Sequence, residues 1–257
     1  MARIRPDTQR QAWGFGVRGI LAGLALVLVA VPFGLLLFLV EGQWPPLMGV
    51  DDGARDGLHA VAVQHRSFVV AMETLSTVGR WWAYLPVFVV VAGWLLWRRQ
   101  IRLAVFVAVT VGISPAINDL VKAAVHRTRP VLADPVAHEN GASFPSGHAQ
   151  AAVVGYAVLL LVFLPVLHGA LRSVAIGVAV LMVLGIGLSR VALGVHYVSD
   201  VLAGYVLGAA WVAAMVASFN VWRRQDGSVS DSTRRSAEGE PAQAAEPGDE
   251  AVDAEGS

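Results

Sequence analysis

The sequence predicts an all-α membrane protein, a bundle of six transmembrane helices with an additional interfacial amphipathic helix and a disordered C-terminal tail. Composition is the first observation: 56% of the 257 residues are hydrophobic, 15% are charged, and the mean hydropathy is +0.60. A soluble domain usually carries about 25% charged residues, so a water-exposed surface is not expected. The second observation is a series of long apolar runs, since crossing the bilayer takes roughly 20 apolar residues in a helix.

Six runs have the length and polarity of a transmembrane helix. The second is bracketed by tryptophans, as interfacial aromatic anchors would be, and Pro115 should kink the third. The predicted spans are Val17–Val40, Trp81–Trp97, Leu103–Val121, Ala149–Leu167, Leu171–Leu188 and Tyr197–Trp222. They predict a membrane domain over residues 17–222, between a cytoplasmic segment at 1–16 and a tail at 223–257.

Two segments need separate treatment. Residues 58–78 mix apolar residues with charges and histidines, so we interpret them as an amphipathic helix at the membrane surface; a seventh span is the alternative. Basic residues before the first apolar run also describe a signal peptide. The run has about 24 residues, longer than a cleavable core of 7–15, which favours an uncleaved first helix.

The C-terminal tail is predicted to be disordered, and the positions of the basic residues predict the membrane topology. From Gln225 to Ser257 the chain is polar and acidic without apolar periodicity, which is typical of disorder. Arginines cluster before the first span, around residues 98–102, at Arg172 and after the sixth span. With six spans these clusters share one side, which the positive-inside rule assigns to the cytoplasm together with both termini. The loops at 41–80, 122–147 and 189–196 then face outside.

Composition also excludes several functions. The formal net charge is zero, so no overall basic field favours nucleic acid as a partner. The absence of cysteine excludes disulfides, thiolate metal sites and a thiol nucleophile.

Three short segments place polar groups where a membrane protein usually avoids them. Lys122 and Arg129 are seven residues apart, close to two helical turns, so they are predicted to share a face, and Pro130 should turn the chain. The second segment, residues 143–148, leads directly into an apolar helix whose amino end favours an anion. In the third, residues 189–200, His196 and Asp200 are one helical turn apart, so the carboxylate can reach the imidazole.

Each segment has a simpler structural explanation. Ser146 and Gly147 would serve as a helix cap, Arg190 as an interfacial anchor, and His196 with Asp200 as a structural hydrogen bond. Together, however, the segments bring three cations, two histidines and one carboxylate to the same predicted membrane face. Phosphoryl transfer without metal ligands requires that combination of groups.

In order and spacing these segments resemble the three-part motif of the type 2 phosphatidic acid phosphatase (PAP2) superfamily, with no departure at a motif position. The motif reads Lys122–six residues–Arg129-Pro130, then Pro145-Ser146-Gly147-His148, then Ser189-Arg190–five residues–His196–three residues–Asp200. The resemblance extends over roughly residues 15–222. It implies a membrane-bound lipid phosphatase with a six-helix core and an outward-facing site.

The resemblance also implies roles for individual residues. His196 would attack phosphorus and form a phosphohistidine, with Asp200 fixing its tautomer, and His148 would protonate the leaving oxygen. The phosphoryl oxygens would be held by Lys122, Arg129, Arg190, Ser146 and the Gly147 backbone N–H. No metal and no other cofactor are expected, because the cations replace a metal.

The predicted substrate is the phosphate ester or diphosphate of a lipid at the outer leaflet: a polyprenyl diphosphate, phosphatidate or phosphatidylglycerol phosphate. The outward orientation favours the polyprenyl diphosphate slightly, although the motif recognises phosphate and not the lipid. Two alternatives stay open at this point. One is a vanadate-dependent haloperoxidase, whose site is similar, and the other is a non-catalytic lipid-binding or transport protein.

Overall fold

The computed structural model describes residues 30–132 and 135–238, with side chains up to Phe219. The predicted segment 1–16 and the first part of the predicted span Val17–Val40 therefore lie outside the described residues. The described residues form helices joined by turns and loops and contain no strand. One compact unit ends at Ala217, and the residues after it form a second unit.

Eight helices account for most of the described chain. We label them in chain order as α1 (Ala30–Glu41), α2 (Pro45–Gln64), α3 (Arg66–Val78), α4 (Trp81–Trp97), α5 (Ile101–Val125), α6 (Gly147–Phe163), α7 (Ala170–Ala192) and α8 (Val198–Glu238). A 3₁₀ turn, Leu164–Val166, extends α6. Helix α4 packs against α5, α5 against α6, α6 against α7, and both α2 and α3 against α7.

Among the residues that the structure describes, four helices are long and apolar enough to cross a membrane: α5, α6 with its 3₁₀ extension, α7, and Val198–Phe219 of α8. Two bent pairs, α1 with α2 and α3 with α4, would raise the number to six if each pair is one span. Large apolar side chains on these helices are exposed, including Val90 and Leu181, each at 70%. Such a surface suits the hydrocarbon of a bilayer and not water.

The structure departs from the sequence prediction in three helices. The predicted single amphipathic helix at 58–78 is divided at His65, whose extended backbone (φ −130°, ψ 93°) ends α2 before α3 begins. The last helix continues past Trp222 to Glu238, so residues 223–238 of the predicted disordered tail are helical. Extending an existing helix avoids the cost of nucleation. The rest of that tail lies outside the described residues.

The third departure concerns Arg129, which we predicted to share a helical face with Lys122. Helix α5 ends at Val125 because His126 adopts a left-handed conformation (φ 52°), so Arg129 lies in the following loop. A left-handed residue is a common way to end a helix.

Two glycines bring α8 close to α6. A Cβ on Gly204 would lie 2.5 Å from the Ser146 carbonyl oxygen, and one on Gly208 would lie 3.0 Å from the Gln150 carbonyl oxygen. Small residues four apart allow helices to pack closely, and here the Gly204-xxx-Gly208 pair packs α8 against α6 within the bundle. The close approach brings the amino ends of α6 and α8 together, and the Ser146 N–H donates to the Asp200 carbonyl oxygen at 2.9 Å.

Candidate active site

The three predicted motif segments meet at one end of the bundle. There the carboxyl ends of α5 and α7 lie beside the amino ends of α6 and α8. A cavity of about 480 Å³ opens there, and five of the eight predicted residues line it: Lys122, Arg129, Gly147, His148 and His196. The other three, Ser146, Arg190 and Asp200, are buried, at 2% exposure or less.

His196 lies between a carboxylate and a guanidinium group. Its Nδ1 is 3.5 Å from Asp200 Oδ2, and its Nε2 is 3.2 Å from Arg129 NH1. A proton on Nδ1, facing the carboxylate, leaves the lone pair on Nε2. The nitrogen with nucleophilic character is therefore the one on the side of Arg129.

The structure places His196 before α8 and not on it, which differs from the prediction that it shares a helical face with Asp200. The helix begins at Val198, because Asp200 in its first turn accepts a hydrogen bond from the Tyr197 N–H at 2.9 Å. A carboxylate in the first turn favours a helix start. The spacing still brings the carboxylate back to the imidazole.

Arg129 is held by the backbone of the surrounding loops. Its guanidinium group donates to the carbonyl oxygens of Asn140, Gly141, Ala142 and Val195 at 2.9–3.3 Å. Because these bonds come from both connecting loops, the position of the guanidinium group is fixed from several directions. Arg129 therefore presents a fixed positive charge to the imidazole of His196.

Lys122 and Gly147 are neighbours in the cavity wall. A Cβ added to Gly147 would lie 3.2 Å from Asn118 Oδ1, a tight contact, and 3.9 Å from Lys122 Nζ, so a side chain here would crowd the Asn118 amide first. Asn118, one turn earlier on α5, donates to Gln150 Oε1 at 2.8 Å and so joins α5 to α6. This buried amide pair, which sequence analysis did not identify, fixes Lys122 relative to the amino end of α6.

Ser146 and His148 flank Gly147 and differ in their contacts. The Ser146 hydroxyl accepts from the Ala149 N–H at 3.5 Å and caps α6, as the simpler explanation of this segment proposed. His148 lines the cavity, and its Nε2 is buried without a hydrogen-bond partner among the described residues. A buried nitrogen of this kind is available to a ligand in the cavity.

Sequence analysis missed a buried ionic network behind His196. Arg127 donates to Asp200 Oδ1 at 2.5 Å, to Asp51 Oδ2 at 2.9 Å and to Ser199 Oγ at 2.7 Å. Asp51, on α2, also accepts from the Ser199 N–H at 2.9 Å, and the Arg127 guanidinium group lies 4.2 Å from the Tyr197 ring centroid. The network fixes the carboxylate that faces the imidazole.

Glu139 is a further site residue that the sequence did not predict. It lies in the loop between α5 and α6 and lines the cavity. Its carboxylate pairs with Arg190 and, at 3.1 Å, with Arg129, and it is 3.8 Å from His196 Nε2. Burial acts to raise the pKa of Glu139, but the charges of Arg190, His148, His196 and Arg129 outweigh it and hold the pKa at about 2. The group is an anion at neutral pH.

The described residues contain no group of three or more His, Asp or Glu side chains arranged to hold a metal ion. Lys122 and Arg129 line the cavity as cations, and the buried Arg190 reaches it through its pair with Glu139, which also lines the cavity. Cations beside an imidazole in a cavity wall suit the binding of a tetrahedral anion.

Comparison with known proteins gives three concordant matches. The sequence model of the PAP2 superfamily matches residues 103–224. Phosphatidylglycerophosphatase B of Bacillus subtilis (strain 168) is 37% identical over 127 residues, which are 48% of this chain and 62% of the length of that relative. The crystal structure of a transmembrane PAP2-type phosphatidylglycerolphosphate phosphatase from Bacillus subtilis is similar, with a TM-score of 0.65 and 26% identity. That similarity covers 74% of this chain and 94% of the other.

Proposed function

We propose that the chain is a member of the PAP2 superfamily, whose sequence model matches residues 103–224, and that it is a membrane-bound lipid phosphatase that works through a phosphohistidine on His196. The observation that carries the proposal is the environment of His196, whose Nε2 faces the fixed charge of Arg129 while Nδ1 faces Asp200. The names of the two similar proteins, both phosphatidylglycerol phosphate phosphatases, support the same reaction.

The proposed reaction has two steps. In the first, His196 Nε2 forms a bond to phosphorus while the bond between phosphorus and the leaving oxygen breaks, and His148 donates a proton to that oxygen. In the second, His148 removes a proton from water, the water oxygen attacks phosphorus, and the bond to Nε2 breaks to release phosphate. Lys122, Arg129 and Arg190 stabilise the charge on the phosphoryl oxygens, and Asp200 stabilises the imidazolium.

The pH dependence follows from the pKa of His196. Burial lowers this pKa below its ordinary value near 6.5, Asp200 acts in the opposite direction, and Arg190 and Arg129 lower it further. The imidazole of His196 therefore stays neutral and nucleophilic as the pH falls through 6.5, and on the acid side its contribution to activity is lost only when the pH passes the lowered pKa. We expect an acid limb of kcat/KM below pH 6.5, measured with initial rates.

The second ionisation of the substrate phosphate, near pH 6, needs a control. Measurements with two substrates whose phosphates differ in this pKa separate the ionisation of the substrate from that of His196. The acid limb due to His196 keeps the same apparent pKa when the substrate changes. An acid limb at or above pH 6.5 with both substrates would contradict a nucleophile with a lowered pKa.

An apolar cavity next to the charged one supports a lipid substrate. It has a volume of about 260 Å³, lies between α4, α5 and α6, and shares Trp81, Ser114, Pro115 and Ala151 with the charged cavity. One molecule with a charged head and an aliphatic chain would fit both. Since both similar proteins are named for phosphatidylglycerol phosphate, we propose this lipid before the polyprenyl diphosphate that the sequence slightly favoured.

Purified protein tests the lipid claim with a panel of phosphatidylglycerol phosphate, phosphatidate, a polyprenyl diphosphate and a short water-soluble phosphate ester. We expect the highest kcat/KM with phosphatidylglycerol phosphate. Activity restricted to the water-soluble ester would refute the lipid claim, and a preference for the diphosphate would reverse the order of the substrates.

Gly112→Phe tests the apolar cavity directly. Gly112 lines this cavity, and a Cβ there meets open space, so the ring would occupy the position proposed for the chain. We expect kcat/KM to fall roughly ten- to a hundredfold on the lipid, because a displaced chain misplaces the phosphoryl group, and to stay unchanged on the short ester. Gly93→Phe, on α4 with equally open space, is the matched control. An equal loss on both substrates would contradict the chain site.

We propose six spans over residues 17–222, with α1 and α2 in one bent span and α3 and α4 in another, both termini in the cytoplasm and the site outside it. The arginine-rich turn at Arg98 and Arg99 lies at the end of α4, opposite the end of the bundle that carries the site, which supports this orientation.

A further inference from the structure

The carboxylate of Glu139 occupies the place that the proposed function gives to a phosphoryl group. One oxygen pairs with Arg190, and the other lies 3.1 Å from Arg129 NH1 and 3.8 Å from His196 Nε2. These are the two guanidinium groups and the nitrogen that a phosphate would contact during the reaction. Glu139 and a bound phosphate therefore cannot use these partners at the same time.

Neither guanidinium group is positioned by Glu139 alone. Arg129 is held by four backbone carbonyl groups, and Arg190, which is 2% exposed, also donates to the Ser76 hydroxyl. Glu139 itself is 24% exposed and belongs to a connecting loop. Its carboxylate is thus the displaceable member of the cluster, and the two arginines are the fixed members.

We propose that Glu139 is a specificity-determining residue, an internal anion that phosphate monoesters and diphosphates displace and that phosphodiester lipids do not. The inference rests on the proposed function and adds a reason why the site would not bind the abundant phosphodiester lipids of the membrane. These lipids carry the same phosphate chemistry as the substrate and are present in large excess beside the site.

Charge provides the selection. A phosphodiester has one negative charge, the same as the carboxylate, whereas a phosphate monoester carries about −1.5 to −2 at neutral pH. The carboxylate is tethered to the site, so its effective concentration exceeds that of a freely diffusing competitor. A diester gains no charge advantage with which to overcome the tether, but a monoester pairs more strongly with the same cations.

The test uses the full chain in mixed micelles, with a phosphate monoester lipid as substrate and increasing mole fractions of phosphatidylglycerol as the diester. Glu139→Gln removes the charge and keeps the shape. For this variant we expect the inhibition constant of phosphatidylglycerol to fall at least about tenfold relative to wild type, and the KM of the monoester to fall as well. Glu41→Gln, an exposed carboxylate at the end of α1, is the matched control.

Several outcomes would overturn the proposal. An unchanged inhibition constant in Glu139→Gln, or a lower kcat with the same inhibition constant, would show that Glu139 does not select by charge. Glu139→Asp, which retracts the charge by one methylene, should give an intermediate inhibition constant and serves as the test if the glutamine variant does not fold. A wild-type protein without activity on any lipid phosphate would instead refute the proposed function, a result distinct from all of these.

Discussion

Replacing His196 with alanine is expected to reduce lipid phosphate hydrolysis by at least about 10⁴-fold, because a substitution at the nucleophile removes the covalent pathway altogether. The side chain is 1% exposed and lies between Asp200 and Arg129, so no neighbouring group replaces its Nε2. The measurement is initial-rate hydrolysis of the best lipid of the panel by the purified variant. His168→Ala, an exposed histidine just before α7, is the matched control and should keep wild-type activity.

A trapping experiment tests directly for the proposed phosphohistidine intermediate. Wild-type protein quenched during turnover of a labelled substrate should carry a phosphoryl group that is stable in base and lost in acid, as expected of a phosphohistidine. The His196→Ala protein should carry none. Persistent activity or persistent base-stable label in this variant would show that another residue, or none, is the nucleophile.

Replacing Arg127 with methionine is expected to lower the free energy of unfolding by about 3–5 kcal/mol, the usual cost of leaving a buried charge without its partner. The change leaves two carboxylates, Asp51 and Asp200, with at most 1% exposure and without their shared cation. Methionine preserves much of the side-chain length, so the effect reports the charge. The measurement is equilibrium or thermal unfolding in detergent, together with kcat.

The matched control is Arg55→Met. Arg55 pairs with Asp52 and Asp56, which are 53% and 61% exposed, so its loss should cost less than about 1 kcal/mol. Adding Asp51→Asn to Arg127→Met should recover part of the stability, because it removes one of the two unpaired charges. A stability loss in Arg127→Met no larger than in Arg55→Met would contradict the role assigned to the network.

The sequence predicted the site best where the residues that meet are close together along the chain. His196 and Asp200 are four residues apart, and the loop between α7 and α8 keeps them together even though only Asp200 is helical. Arg129 reaches the same cavity as Lys122. The sequence placed both residues on one helix, but that helix ends at Val125. Spacing therefore predicted which groups meet, and local backbone geometry changed how they meet.

The site residues that the sequence did not predict either contact residues far away along the chain or lie in loops. Asp51 contacts Ser199, 148 residues later, and nothing in the apolar pattern of α2 distinguishes this carboxylate from exposed Asp52 beside it. Glu139 belongs to a loop without periodicity, so no pattern indicates the direction of its side chain. Arg127 was within the first motif segment, two residues before Arg129, and its basic character was the available signal.

The position of His196 between the last two membrane helices has a consequence for synthesis. A chain emerging from the ribosome presents Lys122 and His148 long before α8 exists, and segments generally fold in order from the amino end. His196, the proposed nucleophile, and Asp200 are therefore expected to join the assembly last, when α8 packs against α6 at Gly204. Chains and fragments that end before His196 are therefore expected to lack the proposed activity.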